Sequence, residues 1–374
     1  MEIQWQFNNG IIKEIYWSKD FSLVNAEQKG INCNQLRIWY PQNINENIYK
    51  RYGDVLTYIE KNGKWKGKAY SLIIDLSQDE EQIIRHFSQT RRYETRRAME
   101  RDNLRIDFYK PVNLAECKQF IEFYNQFAQT KGLANISEEK INALVKSERF
   151  IVAKISSYEN EILCMHGYIA DKESNRVALY TSSSLFREKK DIANLTGRAN
   201  GLLHYKSMLH FKDEGYLIYD FGGAYMGNDD IQLQNITKYK MSFGGKLFEF
   251  DNGVIIPFKI IRETDNFIKN NKNVFENKKL IIWGAAQYGK YLIYRMNQLA
   301  IPVSCVIDNK LSCSDNNYMK EDVLRAYDPQ NTIVIVTTSI DNYEKIAKQE
   351  ICNKFVESNN LISLRKEILR GFIS

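Results

Sequence analysis

Between Ser77 and Asp220 the chain switches period repeatedly, and the order of those switches restricts the fold more than any other feature. Helical spacing covers about 78–102, 114–131 and 137–147. Short strands follow at Phe150–Ile155, Ile162–Ala170 and Val177–Ser182, then a helix near 194–213 and a strand Tyr216–Asp220. Helices, a strand meander, another helix and a further strand predict an α/β layout whose sheet is mixed rather than doubly wound. Ser77-Gln-Asp-Glu80 reads as a capping box that starts the first helix ahead of Ile83, Ile84 and Phe87.

The flanks read differently. Residues 1–76 alternate apolar and polar side chains at Leu36–Tyr40, Val55–Ile59 and Tyr70–Asp75, with a turn at Asn62-Gly63, which predicts an antiparallel, strand-rich segment. Residues 261–278 are dense in Asn and Lys and suit a connecting helix or linker. From Lys279 a strand, the turn Gly284-Ala-Ala-Gln-Tyr-Gly289, and strands at Val303–Asp308 and Thr332–Thr337 predict a small Rossmann-like parallel α/β domain. The expected division is therefore 1–76, 77–260, a linker, and 279–374.

In that last domain alanine stands at the position where the dinucleotide fingerprint has its second glycine, and Asp308 falls near the ribose position. Gly284, Gly289 and Asp308 are the candidate nucleotide contacts, and a dinucleotide is the candidate ligand, beside a plain docking role. A length of 374 residues supports about two to three domains. With 44% hydrophobic and 26% charged residues the chain can bury a core, which excludes a disordered or fibrous protein.

The cysteines are scattered, with no CxxC or zinc-ligand spacing, so no metal site is expected and reduced thiols in a cytoplasm fit. No stretch approaches the roughly 18 apolar residues of a spanning helix, and no secretory leader is read at Met1. A net charge of +6 favours anionic partners such as nucleotides, phospholipid head groups or tRNA, without the basic blocks of a dedicated nucleic-acid binder.

Two segments resemble the Fem family of peptidoglycan-bridge aminoacyl-transferases within the wider N-acetyltransferase (GNAT) superfamily. One is Leu72–Leu76 followed by the basic run Thr90–Asn103. The other is Tyr219-Asp-Phe-Gly-Gly223 followed by Lys238-Tyr-Lys-Met-Ser-Phe-Gly-Gly245, similar to the family's Y-D-F-G-G and F-K-x-G-F-G-G. The resemblance covers about residues 70–250 and implies a GNAT-like mixed sheet. Fem ligases carry two complete GNAT-like units, and here the first looks truncated, so an amino sugar of a surface polysaccharide is an acceptor at least as fitting as a peptidoglycan peptide.

The resemblance further implies acyl-coenzyme A or aminoacyl-tRNA as donor, a nucleotide- or lipid-linked sugar as acceptor, and work in the cytoplasm at the inner face of the membrane with peripheral membrane contact. The C-terminal domain resembles modules appended to surface-polysaccharide enzymes. Two other readings stay open: a tRNA-dependent bridge ligase, and a non-catalytic assembly protein. The superfamily's coenzyme A loop has only a poor counterpart in Leu195-Thr-Gly-Arg-Ala-Asn-Gly201, which favours a Fem-like donor.

Acyl transfer to an amine needs a neutral nucleophile, stabilisation for an oxyanion and a clamp for an anionic donor. Gly222 and Gly223 after a strand can expose amide groups to a ligand, or simply turn the chain. Asp220 is a candidate to orient the attacking amine, or to cap its own turn. Lys240 matches the lysine of the family's F-K motif, which implies a place in the donor and acceptor cleft, where its charge helps hold a carboxylate or the developing oxyanion; without the resemblance a surface lysine is the plainer reading. Tyr239 replaces the family's phenylalanine and adds a hydroxyl, and Phe243 belongs to the same motif.

His166 lies mid-strand opposite Tyr180–Ser184, which makes His166, Tyr180 and Ser182 candidates, with a satisfied core histidine as the plainer reading. Six arginines, Arg91, Arg92, Arg96, Arg97, Arg101 and Arg105, include i,i+4 steps such as Arg92/Arg96 that suit phosphates, although Glu94, Glu100 and Asp102 also suit a solvated, paired face.

Overall fold

The computed structural model describes residues 1–7, 10–52, 56–58, 68–184, 192–275, 277–313 and 317–370. The chain has the mixed α/β class expected of it and divides into two compact units. The first contains Met1–Asp20, Ile38–Asn43 and Trp65–Gly253; the second contains Phe21–Arg37, Ile44–Lys64 and Val254–Ser374. The first 76 residues are thus shared between both units. They also contain two helices, Leu23–Gly30 and Glu46–Tyr52, where only strands are expected from the sequence. The Asn62-Gly63 turn lies outside the described residues.

In the first unit a hairpin, β1 (Glu2–Phe7) and β2 (Gly10–Tyr16), precedes β3 (Lys68–Asp75), α1 (Glu80–Arg85), α2 (Gln89–Arg101) and β4 (Arg105–Tyr109). Then come α3 (Lys118–Thr130), α4 (Glu138–Lys146), β5 (Phe150–Ser156), β6 (Ile162–Asp171) and β7 (Arg176–Ser184). The unit closes with α5 (Ala193–Asp213), β8 (Ile218–Ala224), α6 (Ile231–Met241) and β9 (Lys246–Asp251). The helix read as continuous over 78–102 breaks at Ser88, whose hydroxyl caps α2 by accepting from Arg91 N. The capping box of α1 is built by Asp79 and Gln82 rather than by Ser77, whose own N–H and hydroxyl are spent on Asp75.

Strands β3 to β9 form one seven-stranded sheet in the order β9-β3-β8-β7-β6-β5-β4. Alternation along each strand splits its side chains between two cores. One face carries Ile74, Ala153, Tyr168, Val177, Tyr219 and Phe221 against Ala98 of α2 and Leu203 and Phe211 of α5. The other carries Val152, Met165 and Ile169 against Phe120, Ile141 and Leu144 of α3 and α4, together with Ile3 and Ile12 of the hairpin. Each of the valine, leucine, isoleucine, methionine and phenylalanine side chains among them contributes about 1.5–3 kcal/mol by leaving water.

All pairs in the sheet are antiparallel except β7 with β8. That parallel pair registers Arg176 with Ile218, Val177 with Tyr219 and Ala178 with Asp220, and no further. Beyond Asp220 strand β8 shifts its register on β3 and pairs Gly223 with Ser71. The β7–β8 ladder therefore ends in the middle of the sheet, and the two strands part beyond it.

The second unit contains α7 (Phe258–Phe275), which occupies most of the stretch read as a linker, then β10 (Lys279–Trp283), α8 (Gln287–Gln298), β11 (Val303–Ile307), β12 (Thr332–Val336) and β13 (Leu361–Ser363). These strands form an all-parallel sheet in the order β11-β10-β12-β13. Leu280, Ile282, Ile333 and Ile335 pack on one side with Phe267 and Met296, while Ile281, Trp283, Val334 and Val336 pack on the other with Ile346 and Phe355. Among the described residues no helix is long and apolar enough to cross a membrane.

Candidate active site

The parting of β7 and β8 is the feature around which the polar side chains of the first unit gather. Asp220, the last residue of β8 that pairs with β7, is buried and fully engaged: it accepts from the Ser71 hydroxyl, from Gly222 N at 2.8 Å and from Arg176 Nη1 at 3.3 Å. Arg176 is in turn covered by the rings of Trp17 and Phe250 at 5.3 and 5.6 Å. Burial lowers the guanidinium's pKa, and the charge of Asp220 works against that fall. Asp220 is an anchor for the start of the split.

Just past it, Gly222 adopts φ +69, a left-handed conformation that lets β8 turn within its own strand. The Gly223 carbonyl accepts from Lys240 Nζ at 2.6 Å, and the Tyr40 hydroxyl lies beside the same residue. Burial and the charge of Asp220 push Tyr40 up to about 12, so its hydroxyl stays protonated. Lys240 comes from the last turn of α6, a helix capped by Asp230, whose carboxylate takes the N–H groups of Gln232 and Leu233. Half-buried, Lys240 is lowered to about 8 by desolvation, against the raising effect of Asp220. Its ammonium is therefore close to its titration point under ordinary conditions.

His166 lies on the opposite face of the sheet from Asp220, and the two are not brought together. It is fully buried, with Nδ1 3.0 Å from the Tyr168 hydroxyl and Nε2 2.7 Å from Asn200 Oδ1, and burial lowers it to about 4. Both ring nitrogens are occupied inside the core, which leaves none to meet an acceptor. Ser182 stands opposite His166 in the β6–β7 register. Tyr180 is the extra residue of a bulge between the Tyr168–Leu179 and Gly167–Thr181 pairs, and its ring covers the Lys140 ammonium at 4.9 Å on the hairpin side.

The arginine helix turns a different residue inward than the i,i+4 stripe suggests. Arg96 is exposed, and Arg92 donates to the Phe87 carbonyl at 3.3 Å. Arg91 is the buried one: it bonds Ser242 Oγ at 3.1 Å, pairs with Glu94 at 2.9 Å, and lies over the rings of Tyr239 and Phe243 at 4.7 and 4.9 Å. Phe243 is fully buried against Phe87, Phe221 and His204, so it packs the core. The segment Leu195–Gly201 lies in α5, where Arg198 grips Asp102 at 2.7 and 3.0 Å.

Gly244 completes this region with φ +74, and a Cβ there would come within 2.6 Å of the His86 backbone oxygen. We expect Gly244→Ala to cost about 2–4 kcal/mol from the left-handed backbone and the clash together, read as a fall in the urea midpoint. An unchanged midpoint would remove the turn from the account.

In the second unit Gly284 adopts φ +106 and its carbonyl accepts from Thr337 Oγ1 at 2.7 Å, while a Cβ on Gly289 would fall 1.8 Å from that carbonyl. Asp308 is occupied by backbone: it accepts from Ala285 N at 2.9 Å and from Lys310 N and Leu311 N at 3.1 Å. One carboxylate oxygen thus already takes an amide of the glycine turn.

Asn200, Ser71, Arg176 and Tyr40 belong to this region and are not singled out from the sequence, whereas Arg91 is among the six arginines named there, with Arg92 and Arg96 preferred to it. For Arg91 a signal was present, since Thr95 and Ala98 at i+4 and i+7 mark the inward stripe of α2.

No protein-family model matches the chain, and no curated protein matches it. Among solved structures it is similar to FemX at 10% identity, with a TM-score of 0.48, over 72% of this chain and 89% of that one. It is also similar to L-PGS from Bacillus licheniformis, at 13% identity and a TM-score of 0.39, over 69% of this chain and 83% of that one. A third is a conserved protein of unknown function from Enterococcus faecalis V583, described as a probable N-acyltransferase, at 10% identity and a TM-score of 0.33, over 78% of this chain and 65% of that one.

Proposed function

We propose that the first unit transfers an acyl or aminoacyl group onto an amine of a cell-envelope saccharide precursor, an amino sugar carried on a nucleotide or a lipid. The observation that supports it above all is the Lys240 ammonium, held on the Gly223 carbonyl where β7 and β8 part. A donor lying in that parting would find a cation at its carbonyl. The acceptor nitrogen attacks that carbonyl carbon, the bond to the donor's oxygen or sulfur breaks, and the nitrogen's proton leaves with the departing group. Lys240, as ammonium, stabilises the oxyanion in between.

Acyl-coenzyme A and aminoacyl-tRNA are the two donors to be compared, with Arg92 and Arg96 offered to their phosphates. A place at the inner face of the membrane fits a lipid-linked acceptor. For the second unit we favour a docking role over dinucleotide binding, because Asp308 already occupies an amide of the glycine turn.

The pH dependence tests the role of the ammonium. Desolvation sets Lys240 at about 8, so the active cation is present below that pH and lost above it. We expect kcat/KM to fall about tenfold per pH unit above that point. A kcat/KM that keeps rising through pH 9 would assign Lys240 the opposite protonation state.

A further inference from the structure

Tyr239 and Lys240 are neighbours on the last turn of α6, yet they point to different places. Lys240 reaches the Gly223 carbonyl, whereas the Tyr239 hydroxyl enters the core and accepts from Asn200 Nδ2 at 2.8 Å. From there a chain of buried polar contacts continues without a break. Asn200 Oδ1 meets His166 Nε2 at 2.7 Å, His166 Nδ1 meets the Tyr168 hydroxyl at 3.0 Å, Tyr168 meets the Tyr219 hydroxyl at 3.1 Å, and Tyr219 meets His204 Nδ1 at 2.8 Å.

One donor assignment orders the whole chain. With the Asn200 amide nitrogen donating to Tyr239, its oxygen must accept, so His166 carries its proton on Nε2 and takes the Tyr168 hydrogen on Nδ1. Tyr168 then accepts from Tyr219, and Tyr219 from His204 Nδ1. Both imidazoles are neutral, as burial lowers His166 to about 4 and His204 well below its ordinary value, so no change near neutral pH reverses the direction. The chain ties β6, α5 and β8 to α6.

Helix α6 is otherwise held by the Arg91 guanidinium over the Tyr239 ring at 4.7 Å and by Gln234 Nε2, which donates to the Gly227 carbonyl at 3.2 Å. Ile231, Gln232, Asn235, Ile236, Lys238 and Met241 are exposed, Thr237 alone is buried, and its hydroxyl takes Tyr225 N at 2.8 Å. Successive residues on a helix lie about 100° apart at a fixed rise, so a contact that fixes Tyr239 also fixes the azimuth of Lys240. We infer that the Asn200–Tyr239 hydrogen bond is a positioning link that sets Lys240 over the Gly223 carbonyl, with the buried histidine and tyrosine chain holding Asn200 in the orientation that makes it. Asn200 and Tyr239 are positioning residues here, acting through Lys240. The consequence for turnover rests on the reading of Lys240 as the reacting cation, while the placement of Lys240 does not.

The titratable groups around Lys240 are Asp220 on β8, His204 on α5, Tyr40 beside Gly223, and Arg91 on α2 beyond His204. If the link is cut, Lys240 gains water and its titration midpoint moves up from about 8 toward an ordinary lysine. The test is Tyr239→Phe, which deletes one oxygen, with Asn200→Ala as the second variant, both in the full-length chain. Reductive 13C-methylation and NMR then give the Lys240 midpoint without any substrate. We expect a rise of about one pH unit or more in both variants, and a roughly tenfold loss of kcat with little change in KM.

A midpoint that stays within error of the native protein in both variants, even alongside a lower Tm, would overturn the inference and leave the chain a packing feature. A shifted midpoint together with full turnover in Lys240→Ala would instead retain the positioning link and remove Lys240 from the chemistry.

Discussion

Lys240→Ala should lower kcat by about 100- to 1,000-fold, the usual loss when one preorganised donor to an oxyanion is removed, while Tm stays within a few degrees. The small stability effect follows from its half-buried position and from a hydrogen bond that, among the described residues, is to the Gly223 carbonyl alone. Turnover with each candidate donor and a thermal melt of the same preparations check both halves. Lys240→Arg should not rescue the variant, because the planar guanidinium fork does not reproduce a point cation on that carbonyl. Retention of native turnover in Lys240→Ala would move the chemistry elsewhere in the unit.

Asp220→Ala should act mainly on stability. Removing this carboxylate leaves the buried Arg176 guanidinium without its counter-charge, together with the Ser71 hydroxyl and the Gly222 N–H. Breaking a buried pair from one side costs about 3–5 kcal/mol. For a unit of this size that corresponds to a fall in Tm of about 10 °C. Calorimetry of the full chain would show it, and the double variant Asp220→Ala with Arg176→Met should recover part of the loss. If Asp220 instead acted on the attacking amine from an open cleft, Asp220→Asn would abolish turnover with the melt unchanged. The contacts made by both of its oxygens argue against that outcome.

Much of the architecture is legible in the residues for plain reasons. The strands from Phe150 to Ser182 announce themselves because they are short, apolar and rich in branched side chains, and the seven-stranded sheet is built largely from them. The motif around Tyr219–Gly223 also lands where chain geometry gives it meaning, at the end of the parallel pairing.

Helix α6 is not read, because its segment Ile231–Met241 has no clean apolar stripe and its start is signalled only by the Asp230 cap. Without that helix Lys240 has no direction, and its separation from Tyr239 on either side of a helical turn is invisible. The faces of Tyr219 and Asp220 follow from strand alternation, yet the contact of His166 with Asn200 depends on packing between residues far apart in the chain. Arg91 is named among the arginines but passed over for Arg92 and Arg96, because counting i,i+4 arginines finds a stripe without telling which stripe faces the sheet.

Two consequences follow for how the first unit works. The anchoring carboxylate and the cation proposed for the transfer are different groups: Asp220 fixes the backbone where its pairing with β7 ends, and desolvation lowers Lys240 to about 8. The aromatic wall of the motif is likewise divided, with Phe243 in the core and Tyr239 reaching the buried polar chain through its added hydroxyl.

The mass of an amine acceptor tests the central claim most directly. The full-length protein would be incubated with a nucleotide-linked amino sugar and either acyl-coenzyme A or aminoacyl-tRNA, and the acceptor analysed by mass spectrometry. The account predicts the gain of one acyl or aminoacyl group on the sugar's nitrogen with the native chain, and its near absence with Lys240→Ala. An unmodified acceptor with both donors, or an equal gain with Lys240→Ala, would contradict it.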